Sequence, residues 1–159
     1  MSHLNKEYLQ YLLDRKLSRQ TIQKFELGFS GKGQASKIIY DLLANKEINP
    51  NAVWNEDDLV KSSLINIDEK SLEITDYFRN RITFPVKNQH GDIVAFIARD
   101  LKPNTKLKYL TSRETSIFSK SKTLYNFHRV VLEKPQTLVV LEGNVDLMSL
   151  YEAGMDETK

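Results

Sequence analysis

The chain has 159 residues, 40% of them hydrophobic, and a formal net charge of +2, which is enough for one domain with a real core, or one domain plus a fragment of another, and excludes a disordered chain. It has no Cys, which excludes a disulfide framework and a thiolate metal site and fits a reducing cytoplasm. The opening MSHLNKEYLQYLLDRKL mixes charges among its apolar residues, so it reads neither as a signal peptide nor as a membrane span, and the expected setting is soluble, cytoplasmic and free of membrane partners.

Residues 5–15 are predicted to form a helix, with Leu4, Tyr8 and Leu12 on one stripe and Leu9 and Leu13 beside it. Ser18 has the character of an N-cap, with Leu17 before it and Ile22 at the fourth helical position as a hydrophobic staple. A short second helix follows, predicted to close at Gly28. Ala35, Ile38, Ile39, Leu42 and Leu43 have the spacing of a third, amphipathic helix that Asn49-Pro50 stops. Asn55 and the acidic run Glu56-Asp57-Asp58 predict the start of a fourth, reaching toward Val60.

Leu64–Ile67 and Leu72–Ile74 read as a hairpin. From Arg81 the alternation is cleaner: Ile82, Phe84 and Val86 on one face, a turn at Gln89-His90-Gly91-Asp92, then Ile93, Ala95 and Ile97. Pro85 removes a backbone donor, so its strand should be an edge there. Pro103-Asn104 marks a loop, Lys106–Leu110 a short strand, and Leu124, Phe127, Val130 and Val131 a helix ending before Pro135. His3, His90 and His128 are far apart, so no zinc site is expected and each reads as a surface or packing residue.

The small net charge conceals a division. From Arg79 to Lys134 there are 12 basic residues against 4 acidic, a local +8, while the remainder holds 11 against 17, or −6. Such asymmetry points to a polyanion partner for the middle of the chain; a solvated lysine-rich surface accounts for the counts equally well. The basic residues fall into sets: Arg79 and Arg81, two apart and on one side of an extended chain; Arg99 at the end of the return strand; Lys106, Lys108 and Tyr109; then Arg113, Lys120 and Lys122. Arginine forks suit phosphate, lysines act as mobile point charges, and an aromatic among them can stack on a base.

Near the end, TLVVLEGNVDLMSLYEAGM places the apolar run Leu138–Leu141 before Glu142-Gly143 and a helix with Leu147, Leu150 and Tyr151 at its spacing. This reads as a strand buried on both faces, a tight turn and a helix. Glu142 and Asp146 then face one small volume, as suits a hard divalent cation. A turn in which Asn144 or Asp146 only caps the helix fits the spacing as well.

An apolar strand followed by E-G-x-x-D and an apolar helix resembles the first motif of the TOPRIM domain. That resemblance gives Glu142 the role of catalytic or metal-site acid and Asp146 that of a supporting acid. The domain's second motif, an Asp-x-Asp, does not occur after Glu142, so the metal site is expected to be incomplete. FRNRITFPVKNQHGDIVAFIARDL, KYLTSRETSIF, LYNF and E-G-x-x-D follow one another in the order of the catalytic core of bacterial DnaG-type primases, and the likeness covers Tyr77 to Gly154. Y-L-x-x-R-x-L-S and F-x-L-G-F extend it weakly toward the N-terminus.

The resemblance implies an α+β fold with a helical N-terminal part and antiparallel hairpins in the middle, ending in the first βα unit of a TOPRIM-like α/β sheet. It divides the chain into an N-terminal subdomain, 1–134 (helical 1–62, mixed 63–134), and the truncated start of a TOPRIM domain, 135–159. The implied activity is DNA-templated synthesis of short RNA primers by nucleotidyl transfer with Mg2+ or Mn2+, the chain alone being inactive. Arg79, Arg81 and Arg99 would meet template or nucleotide phosphates. Lys108 and Tyr109 would lie near the initiating nucleotide, with Lys108 beside Glu142 in the catalytic set. Implied partners are single-stranded DNA, ribonucleotides and a replicative helicase, and the uncovered strand predicts weak self-association. With no zinc-binding domain before the core, the likeness is to a diverged primase of a mobile element or phage, or a fragment of one. Two other readings stay open: a non-catalytic single-strand-binding module, and a piece of a TOPRIM nuclease or topoisomerase.

Overall fold

The first predicted helix is present as α1, Lys6–Asp14, in a computed structural model that describes residues 6–31, 33, 38, 39, 41, 50, 56–102 and 104–155. Tyr8 and Leu12 of its stripe are buried. Helix α2, Arg19–Lys24, starts as the cap predicts: Ser18 Oγ accepts a hydrogen bond from the Thr21 amide at 3.1 Å, and Leu17 and Ile22 are both buried beside it.

The end of α2 departs from expectation. Glu26, at φ +54, closes the helix in place of Gly28, and the Glu26 amide donates to the Gln23 carbonyl and the Leu27 amide to the Ile22 carbonyl, both at 3.0 Å. Helix α1 ends in the same way, with Lys16 at φ +62 and the Leu17 amide 3.1 Å from the Leu12 carbonyl. A left-handed side-chain-bearing residue costs about 1–2 kcal/mol. Burying the leucine that follows contributes about 1.5–3 kcal/mol, and Leu17 and Leu27 are only 1% and 5% exposed. Burial of the next residue therefore decides where these helices stop.

Gly28 instead opens strand β1, Gly28–Ser30. It pairs with Thr83, and a Cβ on Gly28 would lie 2.8 Å from Thr83 Oγ1, so the close approach of the strands excludes a side chain there. Of the third predicted helix only Ile38, Ile39 and Asp41 are described, all helical; Ala35, Leu42, Leu43, Asn49 and the cap at Asn55 lie outside the described residues. Helix α3, Glu56–Lys61, follows as predicted. Strands β2, Ile65–Ile67, and β3, Ile74–Asp76, form the first hairpin. Leu72 is not in it, being at φ +56 and 73% exposed.

Strands β4, Arg81–Lys87, and β5, Ile93–Asp100, form the second hairpin around a turn tied by Asn88, whose Oδ1 accepts from the His90 and Asp92 amides. Ile82, Phe84 and Val86 are buried as their alternation requires. Ile93 is exposed, lying past the register shift at Val86/Lys87 that breaks the alternation. The third strand on this side is β6, Tyr109–Thr111, shorter than predicted, with Lys106 to Lys108 in the preceding loop. Four strands pair antiparallel in the order β1-β4-β5-β6. β1 ends opposite the residues before Pro85, so among the described residues β4 has no neighbour on that side at the position that lacks a donor.

Helix α4, Phe127–Glu133, starts after Leu124, and α5, Asn144–Glu152, follows Gly143. One core joins α1, α2, the sheet and α5 through Leu12, Ile22, Phe25, Ile82, Phe84, Val145 and Met148. The buried face of α5 is thus Val145 and Met148, with Leu147 and Tyr151 packed at its margin. The run Leu138–Leu141 departs from the expected buried strand: it pairs with no strand among the described residues, and its four side chains are 37–65% exposed. A strand exists only through the neighbour it bonds to, and the described residues supply none.

Candidate nucleic-acid interface

The β4–β5 register sets Arg81 opposite Asp100. Their side chains form an ion pair at 3.4 Å in which each is about one-tenth exposed (11% and 12%). The Arg81 Nη1 also donates to the Leu107 and Lys108 carbonyls at 2.9 and 3.4 Å. Asp100 in turn accepts from the Lys102 amide at 2.9 Å, while its own amide donates to the Lys108 carbonyl at 2.9 Å. Arg81 is therefore a strap: it folds the 101–108 loop back on the sheet and holds the backbone of Lys108 while the Lys106 and Lys108 side chains stay exposed.

Arg99 is arranged differently. It stands opposite Tyr109 across β5 and β6, is only 7% exposed, and donates from Nη1 to the Tyr109 hydroxyl at 2.5 Å. Its Cζ lies 5.2 Å from the centre of the Tyr109 ring and 5.1 Å from that of Tyr11, on α1. Arg15, exposed at the end of α1, approaches the same Tyr11 ring at 5.4 Å. Tyr8, one turn earlier, donates its hydroxyl to the Asn80 carbonyl at 2.9 Å. Burial first, then the nearby negative charge of Glu7 and Asp100, pushes that hydroxyl's pKa above its usual 10.0.

Arg79 is exposed in the segment before β4, against Gly33. Its pairing with Arg81 on one side of an extended chain does not hold, because Asn80 between them is left-handed at φ +50 and turns the chain. Arg113 belongs to another neighbourhood: it donates to the Val60 carbonyl and to Asn66 Oδ1, lies 4.3 Å from the Tyr77 ring, and its amide donates to Ser63 Oγ at 2.7 Å. It ties β6 to α3 and the first hairpin. Lys120 and Lys122 are exposed in a turn whose Lys120 amide is held by Glu114 at 2.8 Å.

Glu142 and Asp146 are both exposed, before and within the first turn of α5. Asp146 folds over Gly143, where a Cβ would lie 2.5 Å from its Oδ2. Among the described residues no third acid, His or Cys joins them in a group that could hold a metal ion. Two exposed carboxylates do not make up a Mg2+ or Mn2+ site by themselves.

The structure thus brings Arg81, Asp100, Lys108, Arg99, Tyr109, Tyr11 and Arg15 together at one end of the sheet. Asp100, Tyr11 and Arg15 were not among the predicted site residues. Asp100 was within reach of sequence reasoning, since counting the hairpin register outward from the Asn88–Asp92 turn sets it opposite Arg81. Tyr11 and Arg15 are the first and fifth residues of the Y-L-x-x-R-x-L-S motif, which marks them in the sequence, but nothing in their spacing ties them to Arg99, 88 and 84 residues away.

The family described as DNA primase catalytic core, N-terminal domain, matches residues 1–131. A DNA primase of Rickettsia bellii is 36% identical over 98% of this chain and 24% of its own length. That of Legionella pneumophila is 33% identical over 92% of this chain and 24% of its own. The chain therefore spans about a quarter of the curated relatives it matches. Among solved structures, the Escherichia coli primase catalytic core superposes with a TM-score of 0.73 at 30% identity, over 92% of this chain and 44% of that one. A DnaG primase catalytic domain bound to single-stranded DNA superposes at 0.74 and 30%, over 94% and 46%.

Proposed function

This chain belongs to the DNA primase family, through the N-terminal domain of the catalytic core, and we propose that it supplies the template- and nucleotide-holding part of DNA-templated RNA primer synthesis. The observation that carries this reading is the placement of Arg99, a buried guanidinium set between tyrosines, one of which, Tyr109, follows the exposed Lys108. Among the described residues no carboxylate pairs with its charge, whereas that of Arg81 is met by Asp100. A solved relative bound to single-stranded DNA supports the same ligand.

In this reading Arg79, Arg99, Lys106, Lys108, Lys120 and Lys122 meet template or nucleotide phosphates and Tyr109 offers a face to a base, while Arg81 and Arg113 hold the loops that present them. Lys108 lies nearest the initiating ribonucleotide. Residues 135–159 begin a TOPRIM-like domain in which Glu142 and Asp146 act only together with further acids, so primer synthesis is assigned to a longer protein and not to this stretch alone. A cytoplasmic setting goes with this role; among the described residues no helix is long and apolar enough to cross a membrane. The uncovered Leu138–Leu141 run gives the chain alone a weak tendency to self-associate.

Binding of a fluorescein-labelled single-stranded oligonucleotide, followed by anisotropy across salt concentrations, tests the reading. Neutralising about four to six phosphates predicts a slope of log K against log salt of roughly −3 to −4, at about 0.7 per contact. Lys108→Ala should make it shallower by about 0.7. Affinity indifferent to salt, or to Lys108, would refute the interface.

A further inference from the structure

We propose that Tyr11 is a positioning residue for Arg99, holding its guanidinium at the phosphate-binding face through the aromatic ring alone; this rests on the reading of Arg99 as a phosphate contact. Arg99 is costly to bury. At 7% exposure its charge has lost most of its water, and a buried charge is ordinarily paired with an opposite one. Among the described residues Arg99 makes no ion pair, and its Nε is buried with no hydrogen-bond partner. What holds it is one hydrogen bond to the Tyr109 hydroxyl and the two rings of Tyr109 and Tyr11.

Aromatic faces attract a guanidinium through their quadrupole without neutralising its charge. A carboxylate in the same place would stabilise Arg99 but compete with a phosphate for it, as Asp100 does for Arg81. Ring support therefore keeps a cation both fixed and available. Tyr109 and Arg99 are cross-strand neighbours, so their contact comes with the sheet. Tyr11 comes from α1, and its ring couples the helical part of the fold to the cation on the sheet. Among the described residues its hydroxyl is buried without a partner. The ring and not the hydroxyl is thus the working part, and removing the hydroxyl leaves no group unpaired.

The test uses the full chain and a labelled single-stranded DNA of mixed sequence at low salt. Tyr11→Met keeps much of the packing volume but removes the π face; it should weaken binding roughly three- to tenfold and make the salt slope shallower by about 0.7, as Arg99→Ala does. The double variant should bind no worse than Arg99→Ala alone, and Tyr11→Phe should restore both affinity and slope. Leu9→Ala, which trims an apolar side chain of the same helix packed on the same core, should lower the melting temperature without changing the slope. Where the folded fraction, followed by circular dichroism, does not change with salt, it drops out of the slope, and partial unfolding of Tyr11→Met is separated from the loss of a contact. If Tyr11→Met keeps the wild-type slope while Arg99→Ala makes it shallower, the role of Tyr11 is wrong and that of Arg99 stands. If Tyr11→Phe loses as much as Tyr11→Met, the ring is not the agent. If Arg99→Ala itself changes nothing, both assignments fall.

Discussion

Replacing Arg81 by Ala should unfold the chain more easily, because it removes a strap and not a loose surface charge. Three contacts go: the ion pair to Asp100 and the hydrogen bonds to the Leu107 and Lys108 carbonyls. Breaking a sealed ion pair by deleting one partner costs about 3–5 kcal/mol. Here Asp100 keeps some access to water, at 12% exposure, and keeps the Lys102 amide, so about 2–3 kcal/mol is expected. For a chain of this size that is a fall of about 5–10 °C in Tm. Arg81→Lys retains the charge but not the two-pronged donor geometry and should recover less than half the loss. The Arg81→Ala/Asp100→Ala pair should show a coupling of about 1–2 kcal/mol in a double-mutant cycle read by urea unfolding. An Arg81→Ala chain melting within 1–2 °C of the parent, roughly what an exposed pair is worth, together with an additive double variant, would show that Arg81 is not structural.

Leu12→Ala, at a position with no exposed surface in the core between α1, the sheet and α5, should cost about 2–4 kcal/mol in urea unfolding. Leu72→Ala, 73% exposed, should stay within about 0.5 kcal/mol; equal losses at the two sites would contradict the assigned core. Glu152 is held below its usual pKa of 4.5 by hydrogen bonds from the Thr21 and Ser18 side chains and the Ser18 amide. A lowered folded pKa gives stability that is present above the unfolded value and lost as pH falls through the folded one. Glu152→Gln should therefore melt slightly below the parent at pH 7, with the gap closing in acid; a gap that widens below pH 4.5 would reverse the sign.

The parts legible in the sequence are those set by near neighbours in the chain. The stripe of Tyr8 and Leu12, the Ser18 cap and the alternation of Ile82, Phe84 and Val86 all follow from spacing, because a helix or hairpin places those residues without help from elsewhere. The family resemblance likewise lay in linear motifs, and the catalytic-core match bears it out. Tertiary structure decided the rest. Lys16 and Glu26 take the left-handed place expected of Gly because Leu17 and Leu27 find a core to enter. Leu138–Leu141 has the composition of a buried strand, yet pairing is made by a partner, and the described residues provide none. Arg81 and Arg99 look alike in sequence and differ in their surroundings: a carboxylate meets one and aromatic rings meet the other. Tyr11 reaches Arg99 only because α1 folds onto the sheet, so no local pattern could have foretold which arginine meets a carboxylate and which meets rings.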